Sequence, residues 1–335
     1  MRAQPARQFQ WISGGNYVWL AAAMKATKRP TYRELLANPA QPTGVAWETF
    51  PSNPQRGTLN FISPDQIAAA AKRIQSGRVF NLNWELTLPE PGLFHQKLGE
   101  HTFFEGLGST ADRLDKFCLQ SSTHWDALCA IHHPDRGHYM GLKKISRPEA
   151  NPIGVDQLAK HGIVGRGVLV DIARYLKKQG RRLTPISAEP ITVADLKAAL
   201  AAQNTELEEG DILLCRTGWM TDWRTIPEFR HDVARNPLIP GLSGAAKIAE
   251  FLWDAGVAAL ACDNPTLEAF PFESDTDSLH HRLVVNLGMP LGKLFDLDAL
   301  ATSCSLEHRH DFFFASAPLN LPGAAGSPAN ALAVL

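Results

Sequence analysis

Two residues that could bind a metal ion lie two positions apart in the segment "SSTHWDAL", residues 121–128. Side chains at i and i+2 of a β-strand point to the same face, so His124 and Asp126 could reach one ion. Imidazole together with carboxylate suits Zn²⁺, Mn²⁺ or Fe²⁺. A histidine that donates a hydrogen bond to a nearby aspartate has the same spacing, and both interpretations stay open from these residues alone.

Further candidates lie near other apolar segments. His280 and His281 are adjacent at the start of one, where one could be partly buried and the other exposed. Asp263 ends an apolar run and could serve a site at the carboxyl edge of a sheet or cap the turn that follows. Arg216 also follows an apolar run, and it could bind a substrate carboxylate or form a structural ion pair.

The elements that must position these residues alternate between helices and strands, which predicts an α/β fold in one domain. Capping residues indicate helices after Ser63, ending at Gly77, and after Thr192. We expect residues 89–115 to form a loop and the tail 318–330 to lie across the surface. The other predicted helices are 243–255 and 297–304, and the predicted strands are 78–86, 212–215, 257–263 and, as the last strand, 311–319.

Composition excludes several function classes. The 335-residue chain is 44% hydrophobic and 20% charged, with a formal net charge of −1. This balance argues against an electrostatic grip on nucleic acid or an anionic membrane. No GxSxG, P-loop or GxGxxG motif occurs, so serine hydrolase, nucleotide hydrolase and dinucleotide-binding functions have no support.

The cysteine pattern and the N-terminus predict a cytoplasmic protein. Five cysteines are scattered without a CxxC motif, which favours reduced, mostly buried thiols. The apolar segment 17–24 is short and lacks a convincing cleavage pattern, so we expect no signal peptide.

An ordered set of motifs resembles the cyclase family, metal-dependent hydrolases that include bacterial kynurenine formamidase and isatin hydrolase. The set runs from about residue 55 to the C-terminus and is closest to a longer branch of the family with an "STxWD" motif. The motifs are "LQSSTHWDAL", "GIVGRGVLVD", "TVADL", "GDILLCRTGW", "PGLSGAA", "ACDNPTLEAF", "LGMPLGKLFDLDAL" and "SAPLNLPGAAGSPANALA".

The resemblance implies a swivelling β/β/α-type domain over residues 56–335, preceded by an N-terminal arm over residues 1–55, and a homodimer or homotetramer. It also implies a bound divalent metal, zinc or manganese, whose water attacks a carbonyl carbon. The expected reaction is hydrolysis of a C–N or C–O bond in a small cyclic amide, lactone or N-acyl compound such as an arylformamide.

Carried over position by position, the resemblance makes His124, Asp126 and His280 metal ligands, with Asp126 and His280 also catalytic. Two expected ligands differ in this sequence. Ala130 stands where the family has a histidine, and Lys293 stands where it has a glutamate.

Three interpretations of these departures compete. His132 or His133 could replace the missing histidine as a ligand. In a second interpretation one metal is kept and another is lost, because Lys293 repels that cation and stands in for it, stabilising an oxyanion or acting as a general base. Lys293 could also simply point to solvent. Alternatively, the chain could be a divergent homologue that lacks the full metal site and binds a small ligand without turnover.

Substrate contacts are expected from other side chains. Trp125 and Trp219 could line an apolar pocket for an aromatic substrate, although core packing is the favoured role for each. Arg216 is the candidate for a substrate carboxylate, and Glu268 for a partner that holds a ligand residue in place.

Overall fold

The fold is built around one large sheet. The computed structural model describes residues 29–143, 145, 147–274 and 276–335, so the segment 17–24 lies outside the described residues. The strands are β1 Val79–Asn81, β2 Glu100–Gly106, β3 Ser109–Asp115, β4 His124–Asp126, β5 Ile163–Asp171, β6 Pro190–Ile191, β7 Ile212–Arg216, β8 Gly241–Leu242, β9 Ala259–Cys262, β10 Leu291–Lys293, β11 Asp311–Ser316, β12 Gly326–Pro328 and β13 Ala331–Val334. Nine of them form the large sheet, in the order β1-β13-β11-β5-β7-β9-β10-β4-β12, and the pairs β2–β3 and β6–β8 form two separate small sheets.

Helices pack around this sheet. Short 3₁₀ segments join the elements, and a π-helix, His281–Asn286, directly follows His280. The sequence predictions of an α/β class and a single domain are confirmed. The helices are α1 Tyr32–Ala37, α2 Pro64–Ala71, α3 Val155–Ala159, α4 Ile172–Lys178, α5 Val193–Ala202, α6 Trp219–Thr225, α7 Pro227–Arg235, α8 Ala246–Asp254 and α9 Asp298–Glu307.

The middle of the sheet is parallel and buried. Strands β5, β7, β9 and β10 run parallel to one another, whereas β4 pairs antiparallel with both β10 and β12. The apolar runs predicted as strands become β7 and β9, whose residues 212–215 and 259–262 are fully buried. Strands covered on both faces need such continuous apolar runs.

Local signals place helix starts better than helix ends. The predicted capping boxes at Ser63 and Thr192 both form, and α2 and α5 begin directly after them. However, α2 ends at Ala71 rather than at Gly77, because the N–H groups of Lys72 and Arg73 bond three residues back and tighten the last turn. The five cysteines are free thiols, as predicted.

Two sequence predictions fail where pairing partners decide the structure. Residues 89–115 contain the β2–β3 hairpin rather than only a loop. The tail 318–330 lies on the surface only in part, because residues 319–322 are exposed whereas β12, residues 326–328, is a buried strand of the main sheet. Both β12 and the hairpin lack a clear apolar alternation, so the sequence gives no period-2 signal for them.

The first described residues pack against the rest of the fold. Tyr32 and Leu35 of α1 are buried in the main core. The predicted division into an arm over residues 1–55 and a domain over residues 56–335 stays a prediction. The β2–β3 hairpin exposes the apolar side chains of Phe103, Phe104 and Leu107.

The expected homodimer or homotetramer also stays a prediction. Within the described residues, no helix is both long and apolar enough to cross a membrane.

A close backbone contact supports the strand that carries Lys293. Gly57 has φ +53°, and a Cβ there would lie 1.8 Å from the carbonyl oxygen of Gly288, which also accepts from the Thr58 N–H at 2.9 Å. Gly288 lies three residues before β10. Only a residue without Cβ allows this approach.

We predict that Gly57→Ala lowers the free energy of unfolding by more than about 3 kcal/mol, because the backbone must move as well as adopt a strained φ. Gly77→Ala is the matched control, since Gly77 also has a positive φ but nothing lies within 4 Å of its Cβ position. Gly77→Ala should lower the free energy of unfolding by about 1–2 kcal/mol, because it introduces only the strain of a positive φ. Urea denaturation measures both, and equal costs would contradict this account of the contact.

Candidate active site

The site begins on β4. His124 and Asp126 share one face of the strand, as the spacing predicts, and are buried, with 4% and 1% of their surface exposed. Trp125 points to the opposite face, where it is fully buried and packs edge-on against Phe295 and Phe314. The structure therefore places Trp125 in the core and His124 and Asp126 in the site.

A lysine from the neighbouring strand completes this face. Lys293 pairs directly with His124 in the antiparallel ladder between β10 and β4. A long side chain can reach the diagonal neighbour across such a pair. The ammonium Nζ of Lys293 lies 2.7 Å from Oδ2 of Asp126, and the Gln120 amide donates to Oδ1.

The ion pair sets the charge of the carboxylate. Burial alone would raise the pKa of Asp126, but the Lys293 ammonium, aided by His124, lowers this pKa to about 2. Asp126 is therefore ionised at neutral pH although it is buried. Lys293 compensates the charge of Asp126. Removal of either partner would leave an uncompensated buried charge and would lower the free energy of unfolding.

His124 is held by a hydrogen bond to the backbone. Its Nδ1 lies 2.7 Å from the Ser122 carbonyl oxygen, which can only accept, so Nδ1 carries the proton and Nε2 is an acceptor. Nε2 lies 3.7 Å from Oδ1 of Asp126. Burial lowers the pKa of His124, and Lys293 lowers it further against the opposing effect of Asp126.

The second half of the site is a glutamate–histidine pair. Glu268 is 1% exposed, and its carboxylate accepts from the Leu279 N–H at 2.8 Å, from the His280 N–H at 3.1 Å and from His280 Nδ1. His280 must therefore carry its proton on Nδ1, which leaves Nε2 as an acceptor. Burial and, next, the Lys293 ammonium lower the pKa of His280, so it is neutral at pH 7.

These two halves meet in a cavity of about 240 Å³. Its polar lining includes His124, His280 and Lys293. Aromatic rings form a wall, with Phe270 in edge contact with both Phe94 and Phe272. The volume is below the roughly 300–1,000 Å³ of sites for drug-sized ligands, so the cavity suits a small molecule. The remaining lining residues are Leu93, Gln96, Gln120, Ser121, Pro265, Thr266 and Leu294.

A larger cavity lies elsewhere and lacks such chemistry. It measures about 920 Å³ and runs along α1 and residues 45–51. Among the described residues that line it there is no histidine or lysine. Size alone therefore does not identify the site, and the smaller cavity with its paired titratable groups does.

Other predicted ligands lie in a separate cluster. His133 accepts through Nδ1 from the N–H groups of Asp135 and Arg136, at 3.1 and 3.2 Å, and its ring contacts His281. His132 contacts the ring of His138 and accepts a hydrogen bond from His281 through its backbone oxygen. The structure thus groups His132 and His133 with His138 and His281, rather than with His124 and Asp126.

Two other predicted substrate residues have structural partners. Arg216 is held by Asp171, Asp298 and Thr221, at 2.9–3.0 Å. Trp219 is buried and stacks on Trp223. Neither lines the cavity of about 240 Å³.

Asp263 also has a structural role. It is buried and accepts from the N–H and hydroxyl of Thr217 and from the Gly218 N–H, at 2.7–2.8 Å. These bonds fix the turn that follows β7 and begins α6. Asp263 therefore stabilises a turn, as one of the two sequence interpretations predicts. The turn that it stabilises follows β7, however, and not the strand that Asp263 itself follows.

Sequence reasoning missed several residues of the site. Gln120 is a polar residue four positions before His124, and nothing else in the sequence marks it as part of the site. Phe94 lies in a 3₁₀ segment of three residues, and Phe270 and Phe272 lie in the connection that follows β9, so no periodicity marks them. Their convergence depends on tertiary structure.

Comparison with known proteins identifies the family. A solved structure described as a novel cyclase is 31% identical, with a TM-score of 0.76, over 87% of this chain and 99% of its own. This chain belongs to the cyclase family. The family described as "Putative cyclase" also matches residues 116–269, which include His124, Asp126 and Glu268.

Two isatin hydrolases share the fold at lower sequence identity. Isatin hydrolase A from Labrenzia aggregata is 16% identical, with a TM-score of 0.56, over 80% of this chain and 97% of its own. Isatin hydrolase A from Ralstonia solanacearum is 18% identical, with a TM-score of 0.54, over 80% and 95%. No curated protein sequence matches this chain.

The donor set of this cyclase does not fit the metal that the resemblance implies. Among the described residues, no cluster of three or more His, Cys, Asp and Glu side chains is arranged to hold an ion. Asp126 already has Lys293 as its counter-ion at 2.7 Å. A dication bound to the same carboxylate would lie close to this ammonium, with a repulsion on the order of several kcal/mol.

We predict that Glu268→Gln lowers the free energy of unfolding by roughly 1–3 kcal/mol, because an amide nitrogen cannot accept the buried N–H groups that the carboxylate accepts. The exposed Glu273 in the same segment supplies the control, Glu273→Gln, which should change stability by less than about 0.5 kcal/mol. Urea denaturation compares them. A Glu268→Gln protein as stable as the control would show that these bonds do not support the site.

Proposed function

We propose that this cyclase hydrolyses a C–N or C–O bond next to a carbonyl group in a small cyclic amide, lactone or N-acyl compound. One observation carries the proposal. The His280–Glu268 pair and the Lys293–Asp126 pair meet at one small cavity with an aromatic wall. Membership of the cyclase family and the fold shared with isatin hydrolases support the same reaction class.

His280 is the general base of this scheme. Glu268 holds its Nδ1–H, so that Nε2 faces the reaction as an acceptor. His280 takes a proton from water, and the water oxygen attacks the carbonyl carbon. The carbonyl electron pair moves to the oxygen, where the Lys293 ammonium stabilises the negative charge.

Collapse of the tetrahedral intermediate completes the reaction. The C–N or C–O bond breaks, and the departing nitrogen or oxygen takes the proton from His280. The products are a carboxylic acid and an amine or alcohol, joined in one molecule when the substrate is a ring. Zinc or manganese, expected from the resemblance, has no part in this scheme, because Lys293 already pairs with Asp126.

The adjacent histidines allow a matched test of the base. We predict that His280→Gln lowers kcat/KM by at least about a hundredfold on any substrate found in a panel of lactones, cyclic amides and N-formyl arylamines. His281→Gln should change it by no more than about twofold, because His281 instead bonds Ser278 and the His132 backbone. Thermal unfolding confirms that both variants fold.

The competing function is ligand binding without turnover, and the same panel decides between the two. Hydrolysis of a panel member that depends on His280 supports the proposed reaction. Binding of panel members by calorimetry, with no product formed by the wild-type protein, would overturn it.

The aromatic wall predicts a preference for apolar or aromatic substrates. Phe272 contacts the ring of His280, with ring centroids 5.3 Å apart, and lines the cavity. We predict that Phe272→Ala raises KM for an aromatic substrate by about tenfold, because the substrate loses a buried ring contact. Phe103→Ala is the control, since Phe103 lies on the β2–β3 hairpin away from the cavity lining. Equal KM values for the two variants would contradict the assignment of the wall.

A further inference from the structure

The cationic centre of this site is part of the chain itself. Lys293 lies on β10, directly opposite His124, and its side chain reaches across the ladder to Asp126. Asp126 is 1% exposed, and the Lys293 side chain is 13% exposed. The pair is therefore enclosed, and one face of Lys293 lines the cavity.

Each group around the ammonium complements a positive charge. Asp126 supplies a carboxylate held by Gln120, and His124 and His280 each have a proton fixed on Nδ1 by another partner. Their Nε2 atoms are therefore lone-pair donors. Imidazole nitrogens and a carboxylate are ligand types that divalent cations take. Among the described residues, however, no three such side chains are arranged to hold an ion, and the Lys293 ammonium lies beside the carboxylate instead.

The Lys293 ammonium has N–H groups that can donate hydrogen bonds to a substrate. A lysine ammonium carries three N–H groups. Its contact with Asp126 is an ion pair with 2.7 Å between Nζ and Oδ2, in which Oδ2 accepts no hydrogen bond. The N–H groups of the ammonium can therefore donate to a carbonyl oxygen in the cavity. An ammonium can thus polarise a carbonyl group, as a metal ion does, but it does not activate water, which explains the need for the separate His280–Glu268 pair.

We propose that the Lys293 ammonium takes the place of a metal ion beside Asp126, so that this cyclase has a metal-independent site. This inference rests on the proposed function for the role of the ammonium in hydrolysis. The statement about metal binding stands separately, because it depends only on the side chains around Asp126.

Metal binding of three purified proteins tests the inference. The wild type, Lys293→Glu and Lys293→Met are incubated with Mn²⁺ or Zn²⁺, freed of unbound ion by gel filtration and assayed by mass spectrometry for metal content. Calorimetry with Mn²⁺ gives the affinity. Lys293→Met is the matched control, because it removes the ammonium without adding a ligand.

We expect the wild type to retain no ion that depends on Asp126. Lys293→Glu should bind one ion per chain at least about a hundredfold more tightly than the wild type, since the charge beside the ion changes by two units. Lys293→Met should fall between them. Adding Asp126→Asn to Lys293→Glu should abolish the gained ion, which separates it from an ion bound by the cluster of His132, His133, His138 and His281.

A wild-type protein that binds one ion tightly and loses it in Asp126→Asn would overturn the inference. The wild-type measurement and Lys293→Met decide the question even if Lys293→Glu does not fold. Failure here differs from failure of the proposed function. Hydrolysis that a chelator abolishes would refute the metal-independent site but support the proposed hydrolase function. A metal-free protein that hydrolyses no substrate would support the metal-independent site but refute the proposed function.

Discussion

A buried ion pair between two neighbouring strands organises this site. The carboxylate of Asp126 is ionised in the interior mainly because the Lys293 ammonium lies 2.7 Å away, with a smaller contribution from His124. The pair depends on the ladder between β10 and β4, which sets Lys293 opposite His124. Just before β10 begins, the segment of Gly57 and Thr58 packs closely against Gly288.

In the proposed reaction, the same pair determines how the chemical steps are divided among the side chains of the cavity. Because the positive charge is covalently fixed on β10, it can stabilise an oxyanion but cannot ionise water. A base is then needed on another element, and His280, which immediately precedes a π-helix, has its proton fixed by Glu268. In this account, Lys293 and Glu268 have complementary roles. One stabilises the charge that develops on substrate, and the other orients the group that moves protons.

The sequence predicted the parts whose signals are local. The spacing of His124 and Asp126 placed both on one face, capping boxes placed the starts of α2 and α5, and apolar runs placed β7 and β9. It also marked Lys293 as a departure. The rest depends on contacts distant in the sequence. Strand β12 pairs with β4, which is distant in the sequence, and the three phenylalanines of the wall converge from two distant segments between the strands.

Anomalous diffraction from crystals soaked in Mn²⁺ tests the central claim most directly. The account predicts no anomalous peak within coordination distance of Asp126, with electron density that joins the Lys293 side chain to its carboxylate. A peak beside Asp126, His124 and His280, with Lys293 turned away from the carboxylate, would contradict it.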